Sequence, residues 1–422
     1  MTVVSSVPAV TFIIPAFNAA ETLARPIASL AAQTRSGCWR AIVVDDGSAD
    51  STLDVARQAA ASDQRISVLA RGRNGGAAAA RNTGLAGVRT ELVAFLDADD
   101  SLHPSYLARM LQTLRRSGAD AVCCGVTKLD RTGRTVERRS APRLDTDPAA
   151  VFAKGPGAAI HSFLAPTRHV IGVGAFDETL RTNEDWDLWV RLARSGTRFA
   201  VLNRPLAYYW NRGGSLTMNG AQVLADSAVV RERIRHPDPR LAGARTEHGG
   251  ALAAAEPANA AQVALLWNAG AMLAAGRDAR ALLDPWSAAM PELAPWMAEA
   301  LFGGLRHGLG GDEAAPGRHW ASIEANLLSF LAGLDVANPA HSPGLARGLL
   351  KDLERHVVRT ADFRSTLRLT STLGARLSPG ALVAAFRGDD DAETVLIKAP
   401  LTRPRRLFLF AVQRRQAAGP RP

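Results

Sequence analysis

From Val10 to Leu96, apolar runs alternate with amphipathic stretches in a regular βα rhythm. Val10–Ile14, Ala41–Val44, Ile66–Leu69 and Leu92–Leu96 are short, continuous and rich in aliphatic residues, as buried strands are. Ala20–Thr34 places Leu23, Ile27 and Leu30 at helical spacing, and Ser51–Ala61 and Ala77–Gly87 read as two further helices. Strands and helices alternating at this interval predict an α/β fold, a mainly parallel sheet with helices on both faces. Such sheets bind ligands beyond the carboxyl ends of their strands. Asn18, Asp45-Asp46 and Asp97 to Asp99 all fall just past predicted strand ends, which argues for one shared site.

The pattern continues with a helix over Pro104–Ser117 and a strand over Asp120–Gly125. Asp130–Pro148 is charged and turn-rich and predicts a mobile loop. Beyond about residue 222 alanine and leucine dominate and β-branched runs nearly vanish, with helical spacing over 259–275, 293–308, 318–334 and 344–360. The division that follows is a sheet domain over 1–220, an all-α domain over 221–397 and a basic tail over 398–422.

Composition narrows the classes. The 422 residues are 47% hydrophobic and 21% charged, which describes a globular protein with room for more than one core. The formal net charge is +10, carried mostly by arginine, yet nowhere do basic and aromatic residues interleave as a nucleic-acid surface requires. Anionic substrates, an anionic membrane or plain compositional bias each account for the sign. The tail has seven basic and no acidic residues, with Leu407–Val412 between Arg405-Arg406 and Arg414-Arg415. It reads either as a peripheral contact with an anionic membrane or as a docked terminal helix. No run reaches the roughly 18 apolar residues of a membrane span, and the first residues lack the pattern of a signal peptide. Cys38, Cys123 and Cys124 show neither metal-ligand spacing nor a disulfide framework. These features fit a cytoplasmic protein.

The chemistry concentrates in Leu96-Asp97-Ala98-Asp99-Asp100. Alternate carboxylates past a strand end suit a hard cation that holds a diphosphate. The first loop, Pro15-Ala16-Phe17-Asn18, lacks the Gly-x-Gly-x-x-Gly turn of a dinucleotide fold and the glycine-rich basic loop of a nucleotidylyltransferase. Val44-Asp45-Asp46-Gly47-Ser48 follows the second strand, and Arg73-Asn74-Gly75-Gly76 with Ala80-Arg81-Asn82-Thr83-Gly84 follows the third. Farther on come Phe176-Asp177-Glu178 and Asn183-Glu184-Asp185-Trp186-Asp187-Leu188-Trp189. In this order and spacing the set resembles the family 2 glycosyltransferases with a GT-A fold, over about residues 8–220.

The resemblance implies a GT-A type Rossmann-like sheet domain and an inverting, metal-dependent enzyme. It would move one sugar from a UDP- or GDP-sugar to a hydroxyl of a saccharide or lipid-linked saccharide, in bacterial surface or exopolysaccharide assembly. Asp99 would be the principal ligand of Mn2+ or Mg2+, and Asp97 a second ligand or a ribose contact. Pro15, Phe17, Asn18, Asp45 and Asp46 would cradle the nucleotide, with Phe17 against the base and Asp46 accepting from a ring N–H. Relatives more often carry tyrosine at the place of Phe17. Arg81 would approach the base or the diphosphate. An acceptor hydroxyl needs a general base, which the resemblance places at Asp185, with Glu184 in reserve. Trp186 is either the floor of an acceptor-sugar site or helix core, while Trp189 reads as core.

In Tyr208-Tyr209-Trp210-Asn211-Arg212-Gly213-Gly214, Arg212 stands where many relatives carry histidine. It reads either as a phosphate contact on a hinged lid or as part of a simple turn. Processive synthases of the family have transmembrane helices and a Gln-x-x-Arg-Trp motif, and neither is found. The alternative from another class is a non-catalytic nucleotide-sugar-binding scaffold, which has no need of Asp46, Asp97, Asp99 and Asp185 together. His161 and His169, before the Phe176 motif, read either as lining the acceptor side or as structural, the commoner place of an isolated histidine, and Asp389-Asp390-Asp391 reads as a solvated loop.

Overall fold

A computed structural model describes residues 9–34, 38–211, 219–241, 259–283, 295–309, 316, 319–337, 348–350, 352, 353 and 356. Arg212, Gly213-Gly214, Asp389–Asp391, the tail 398–422 and most of the helix expected over 344–360 lie outside the described residues. The chain divides into two compact units, residues 1–261 and 262–422.

The first unit is built on nine strands: β1 (Val10–Ala16), β2 (Trp39–Asp45), β3 (Ile66–Ala70), β4 (Leu92–Phe95), β5 (Ser101–Leu102), β6 (Ala121–Leu129), β7 (Thr135–Arg139), β8 (Phe163–Pro166) and β9 (Phe199–Trp210). Their spatial order is β3-β2-β1-β4-β8-β6-β9-β5, with β7 paired to β6. β3, β2, β1 and β4 are parallel. β8 runs antiparallel to both β4 and β6, and β9 runs parallel to β6. One reversed strand therefore restores the direction, and β1 to β4, β6 and β9 all leave the sheet at the same edge.

Among the described residues this unit also holds the α-helices α1 (Ala24–Ala31), α2 (Thr52–Ser62), α3 (Ala77–Ala86), α4 (Tyr106–Ser117), α5 (Pro148–Ala153), α6 (Thr167–Gly172), α7 (Glu184–Arg194) and α8 (Gly220–Arg235). Alternation along the strands feeds two cores. Phe12, Ile14 and Val43 pack with Leu30 and Met110 on one face. Ile13, Ile42 and Val44 pack with Ala80, Leu85 and Trp189 on the other. Burial on both faces is why these strands read as continuous apolar runs. α3 lies so close to β1 that a Cβ on Gly84 would stand 2.6 Å from the Ile13 side chain.

The expectation of a loop over Asp130–Pro148 is corrected: β7 forms a hairpin with β6. Asp130 Oδ1 accepts from the Thr132 and Arg134 amides and from the Thr132 hydroxyl, closing a tight turn. Lys128 and Glu137 pair across the strands at 3.4 Å. Polar strand residues on a half-exposed edge look like a loop in sequence.

In the second unit the helices α9 (Ala260–Ala274), α10 (Pro295–Gly308) and α11 (Trp320–Ala337) are described. α9 and α10 meet backbone to backbone, since a Cβ on Gly304 would fall 1.8 Å from the Trp267 carbonyl oxygen. Glycine there is a packing requirement. Among the described residues no helix is long and apolar enough to cross a membrane.

Candidate active site

The site forms where four strands end. After β1, Phe17 is 48% exposed, an unusual position for a large apolar ring. Asn18 adopts φ 47°, a left-handed conformation that asparagine tolerates. Its amide donates to Ser48 Oγ at 3.0 Å, and its Oδ1 accepts from the Ala49 amide at 2.9 Å. The Ala19 amide adds a bond to Thr52 Oγ1 at 2.7 Å. The first loop is thus stitched to the second, and Phe17 stays on the rim.

After β2 the two carboxylates divide. Asp46 is 2% exposed and accepts from Arg71 Nη1 at 2.7 Å, the Gly75 amide at 3.1 Å and the Gly76 amide at 2.7 Å. It is committed to the loop after β3. Asp45, also buried, accepts from the Ser48 amide through Oδ2 at 3.4 Å, while its Oδ1 has no hydrogen-bond partner. The oxygen without a partner at this strand end is therefore on Asp45, while Asp46, which the resemblance puts against a ring N–H, has both oxygens engaged. Buried acceptors without a partner are uncommon.

Gly47 joins these loops at φ +74°, and a Cβ there would stand 2.8 Å from the Arg73 carbonyl carbon. Gly47→Ala is expected to cost about 1–3 kcal/mol, since both the left-handed backbone and the close approach resist a side chain. Urea titration reads this directly, and an unchanged midpoint would mean that the Arg73 loop moves aside freely.

α3 carries Arg81 into the interior, where it is 3% exposed. Nη2 donates to Asp97 Oδ1 at 2.7 Å and Nη1 to Glu184 Oε1. The Phe176 ring lies 5.4 Å from the guanidinium. Next to it, Asn82 exchanges a pair of bonds with the Phe176 backbone, Nδ2 to the carbonyl at 2.9 Å and Oδ1 from the amide at 3.0 Å. Arg81-Asn82 therefore draws the acidic loop and the start of α7 together. Two nitrogens of Arg81, which the resemblance puts near the base or the diphosphate, are bonded to carboxylates.

At the first turn of α7, Glu184 is buried and Asp185 half-buried. Asp185 Oδ1 accepts from the Trp186 amide at 2.8 Å. Burial and then the neighbouring Glu184 charge push the Asp185 carboxyl up to about 7, with Arg81 and the Trp186 amide opposing. Trp186 is not a sugar platform: it is 1% exposed, its Nε1 donates to the Phe152 carbonyl at 2.6 Å, and Arg231 lies 5.3 Å from its ring. Trp189 stacks on Phe163 with centroids 4.2 Å apart and is core.

On the acidic loop after β4, the Asp97 side chain is 33% exposed. The Asp99 carbonyl accepts from Arg25 Nη1 at 2.8 Å. Asp100, 1% exposed, accepts from the Trp210 amide through Oδ1 at 2.8 Å and faces His161 Nδ1 through Oδ2 at 3.2 Å. Burial pushes His161 down to about 4, against the attraction of Asp97, so the ring is neutral and able to give a lone pair. One donor atom each from Asp97, Asp100 and His161 lie within 4.8 Å of one another. Asp99 is outside this cluster. Two carboxylates and an imidazole suit a transition cation such as Mn2+ better than Mg2+, which prefers oxygen alone. Sequence reasoning missed His161 because it stands in no motif, and missed Asp100 because a run of acids does not tell which member turns inward.

A sequence model of Glycosyl transferase family 2 matches residues 11–170. The succinoglycan biosynthesis protein ExoO of Rhizobium meliloti (strain 1021) is 31% identical over 248 residues, covering 54% of this chain and 70% of that protein. ExoU of the same organism, also a succinoglycan biosynthesis protein, is 32% identical over 260 residues, covering 54% and 75%. Among solved structures, a crystal structure of S. aureus TarS 1–349 aligns at 17% identity with a TM-score of 0.47, covering 82% of this chain and 90% of that one, too loose a likeness to add to the sequence matches. With the family's span lying on the strands that build this site, and two relatives matched over most of their length, the chain belongs to glycosyl transferase family 2.

Proposed function

We propose that the chain transfers one sugar from a nucleoside-diphosphate sugar to a hydroxyl of a saccharide or lipid-linked saccharide, with inversion at the anomeric carbon. The observation that carries this reading is the junction at Arg81, which holds the acidic loop beside a carboxylate whose raised pKa suits a general base. Phe17 would stack on the base of the donor, and Asp45 Oδ1 would accept from a ring N–H. Asp46 would act indirectly, by holding the Gly75-Gly76 wall. Asp185 would take the proton of the acceptor hydroxyl as its oxygen bonds to the anomeric carbon. The bond from that carbon to the diphosphate breaks in the same step, and the nucleoside diphosphate leaves with the electron pair. An α-linked donor then gives a β-linked product.

A divalent cation fits Asp97, Asp100 and His161, with Asp99 bordering the same turn. Bound there, it would neutralise charge growing on the leaving diphosphate. The names of the two Rhizobium relatives support a role in exopolysaccharide assembly. The basic tail would suit an acceptor held at an anionic membrane.

Thermal unfolding against UDP, GDP and their sugars, with and without Mn2+, tests the donor site. A ligand at a hundred times its dissociation constant adds about 2.7 kcal/mol of stability. We expect one base to stabilise the protein only with Mn2+. Loss of that effect in His161→Ala but not Asp99→Ala would assign the inner donor set, and the opposite result would assign Asp99. No stabilisation by any nucleotide would overturn the donor site.

A further inference from the structure

A cavity of about 500 Å3 opens beside the carboxyl ends of β6 and β9, lined among others by Thr127, Leu129, Gly133, Thr135, Arg138 and Tyr208. β6 and β9 leave the sheet on the same edge as β1, β2 and β4, so the cavity shares its edge with the acidic loop. Tyr208 is the register partner of Ser101, the residue after Asp100, and Leu129 is that of Trp210. Trp210 adjoins both the cavity and the acidic loop. Its amide bonds Asp100 and its Nε1 donates to Ser101 Oγ at 3.0 Å, while a Cβ on Gly133 would touch its ring at 3.3 Å. The Arg25 guanidinium lies 3.8 Å from the ring centroid and also holds the Asp99 carbonyl. A side chain packed next to the cavity's Gly133 is thus braced on the acidic loop.

The lining has the chemistry of a sugar site. Thr127, Thr135 and Tyr208 bring hydroxyls, and Tyr208 brings a ring that can cover an apolar sugar face. The volume lies within the usual range for small-ligand sites. Arg138 is the one charged residue of the lining, and among the described residues it makes no ion pair or side-chain hydrogen bond. A neutral hydroxyl-rich cavity with one uncompensated cation suits a polyhydroxyl ligand bearing one negative charge.

We propose that this cavity is the subsite for the acceptor saccharide and that Arg138 meets an anionic substituent on it, a carboxylate or a phosphate. The inference rests on the glycosyltransferase reading above and deepens it by naming the acceptor class. Saturation-transfer NMR on the full chain, with UDP and GDP in excess, tests it using methyl β-glucoside, methyl β-glucuronide and glucose 1-phosphate. Both anionic probes should saturate more strongly than the glucoside, and their order tells carboxylate from phosphate. Arg138→Ala should weaken the anionic probes roughly tenfold, as loss of a charged hydrogen bond does, and spare the glucoside. Thr135→Trp, at an exposed strand position, should fill the cavity and abolish all three signals. Nucleotide stabilisation should be unchanged in both variants. Probes that do not saturate the wild type, or saturate the variants equally, overturn the proposal. Probes that bind while no nucleotide does would leave a saccharide site and remove the transferase reading.

Discussion

Asp185→Asn is expected to lower sugar transfer about 100- to 10,000-fold, the usual worth of a positioned general base, while nucleotide binding stays near that of the wild type. Asparagine keeps the shape and the bond to the Trp186 amide but cannot accept the proton. The pH profile should agree. Burial and Glu184 hold the Asp185 carboxyl up near 7, so kcat/KM should rise with pH through about 7 and level off above it. Stability should move the other way. A carboxyl whose folded pKa exceeds its unfolded value favours the folded state at low pH and loses that advantage as pH rises through the folded pKa. Asparagine never acquires the buried charge, so Asp185→Asn should melt higher than the wild type at pH 8 and lose that margin near pH 4. Initial rates and thermal unfolding at both pH values check this. A variant that loses activity and stability together would mark Asp185 as structural, and normal turnover would refute its role as base.

The parallel half of the fold is legible because β1, β2 and β4 are buried on both faces and read as apolar runs, and even the edge strand β3, of which only Ile66 is buried, is aliphatic at alternate positions. β1 to β4 and α1 to α3 fall where apolar runs and helical spacing put them, within a few residues. Later strands are not legible for local reasons. β8 is four residues long and too short to show a period. β9 is interrupted by Asn203-Arg204-Pro205, where the pairing with β6 shifts register. The site was half legible in the same sense. Carboxylates past strand ends announce a cluster, but the sequence does not say how they are shared among the cations around them. Arg81 looks like a free hand for a phosphate until the fold places Asp97 on one side and Glu184 on the other. Asp45 and Asp46 are equivalent in a string, yet the pleat sends one into the Gly75-Gly76 loop and leaves the other with an open oxygen. Such allocations are tertiary, set by residues distant in the chain.

Asp187→Leu should destabilise the first unit strongly, by about 3–5 kcal/mol. Asp187 is 2% exposed and receives Arg191 Nη2 at 2.7 Å, Arg240 Nη2 at 2.8 Å and Arg233 Nη1 at 3.0 Å. Arg233 and Arg240 keep more than a quarter of their side chains in solvent, so those contacts are partly screened. The decisive partner is Arg191, 1% exposed, which also donates to the Val173 and Ala175 carbonyls. Burial already pulls its guanidinium down, with Asp187 opposing and Arg240 adding to the pull. Removing Asp187 leaves that charge in the interior, facing other arginines. Urea unfolding of the single variant and of Asp187→Leu with Arg191→Met separates the causes. If the cost is an uncompensated charge, the double variant should recover most of the loss, because well-packed apolar residues can replace a buried ion pair at little cost. If the double variant is as unstable as the single, the network's worth lies in docking α8 and the Arg240 segment onto α7. The Arg233 and Arg240 contacts, rather than the buried pair, would then carry the energy.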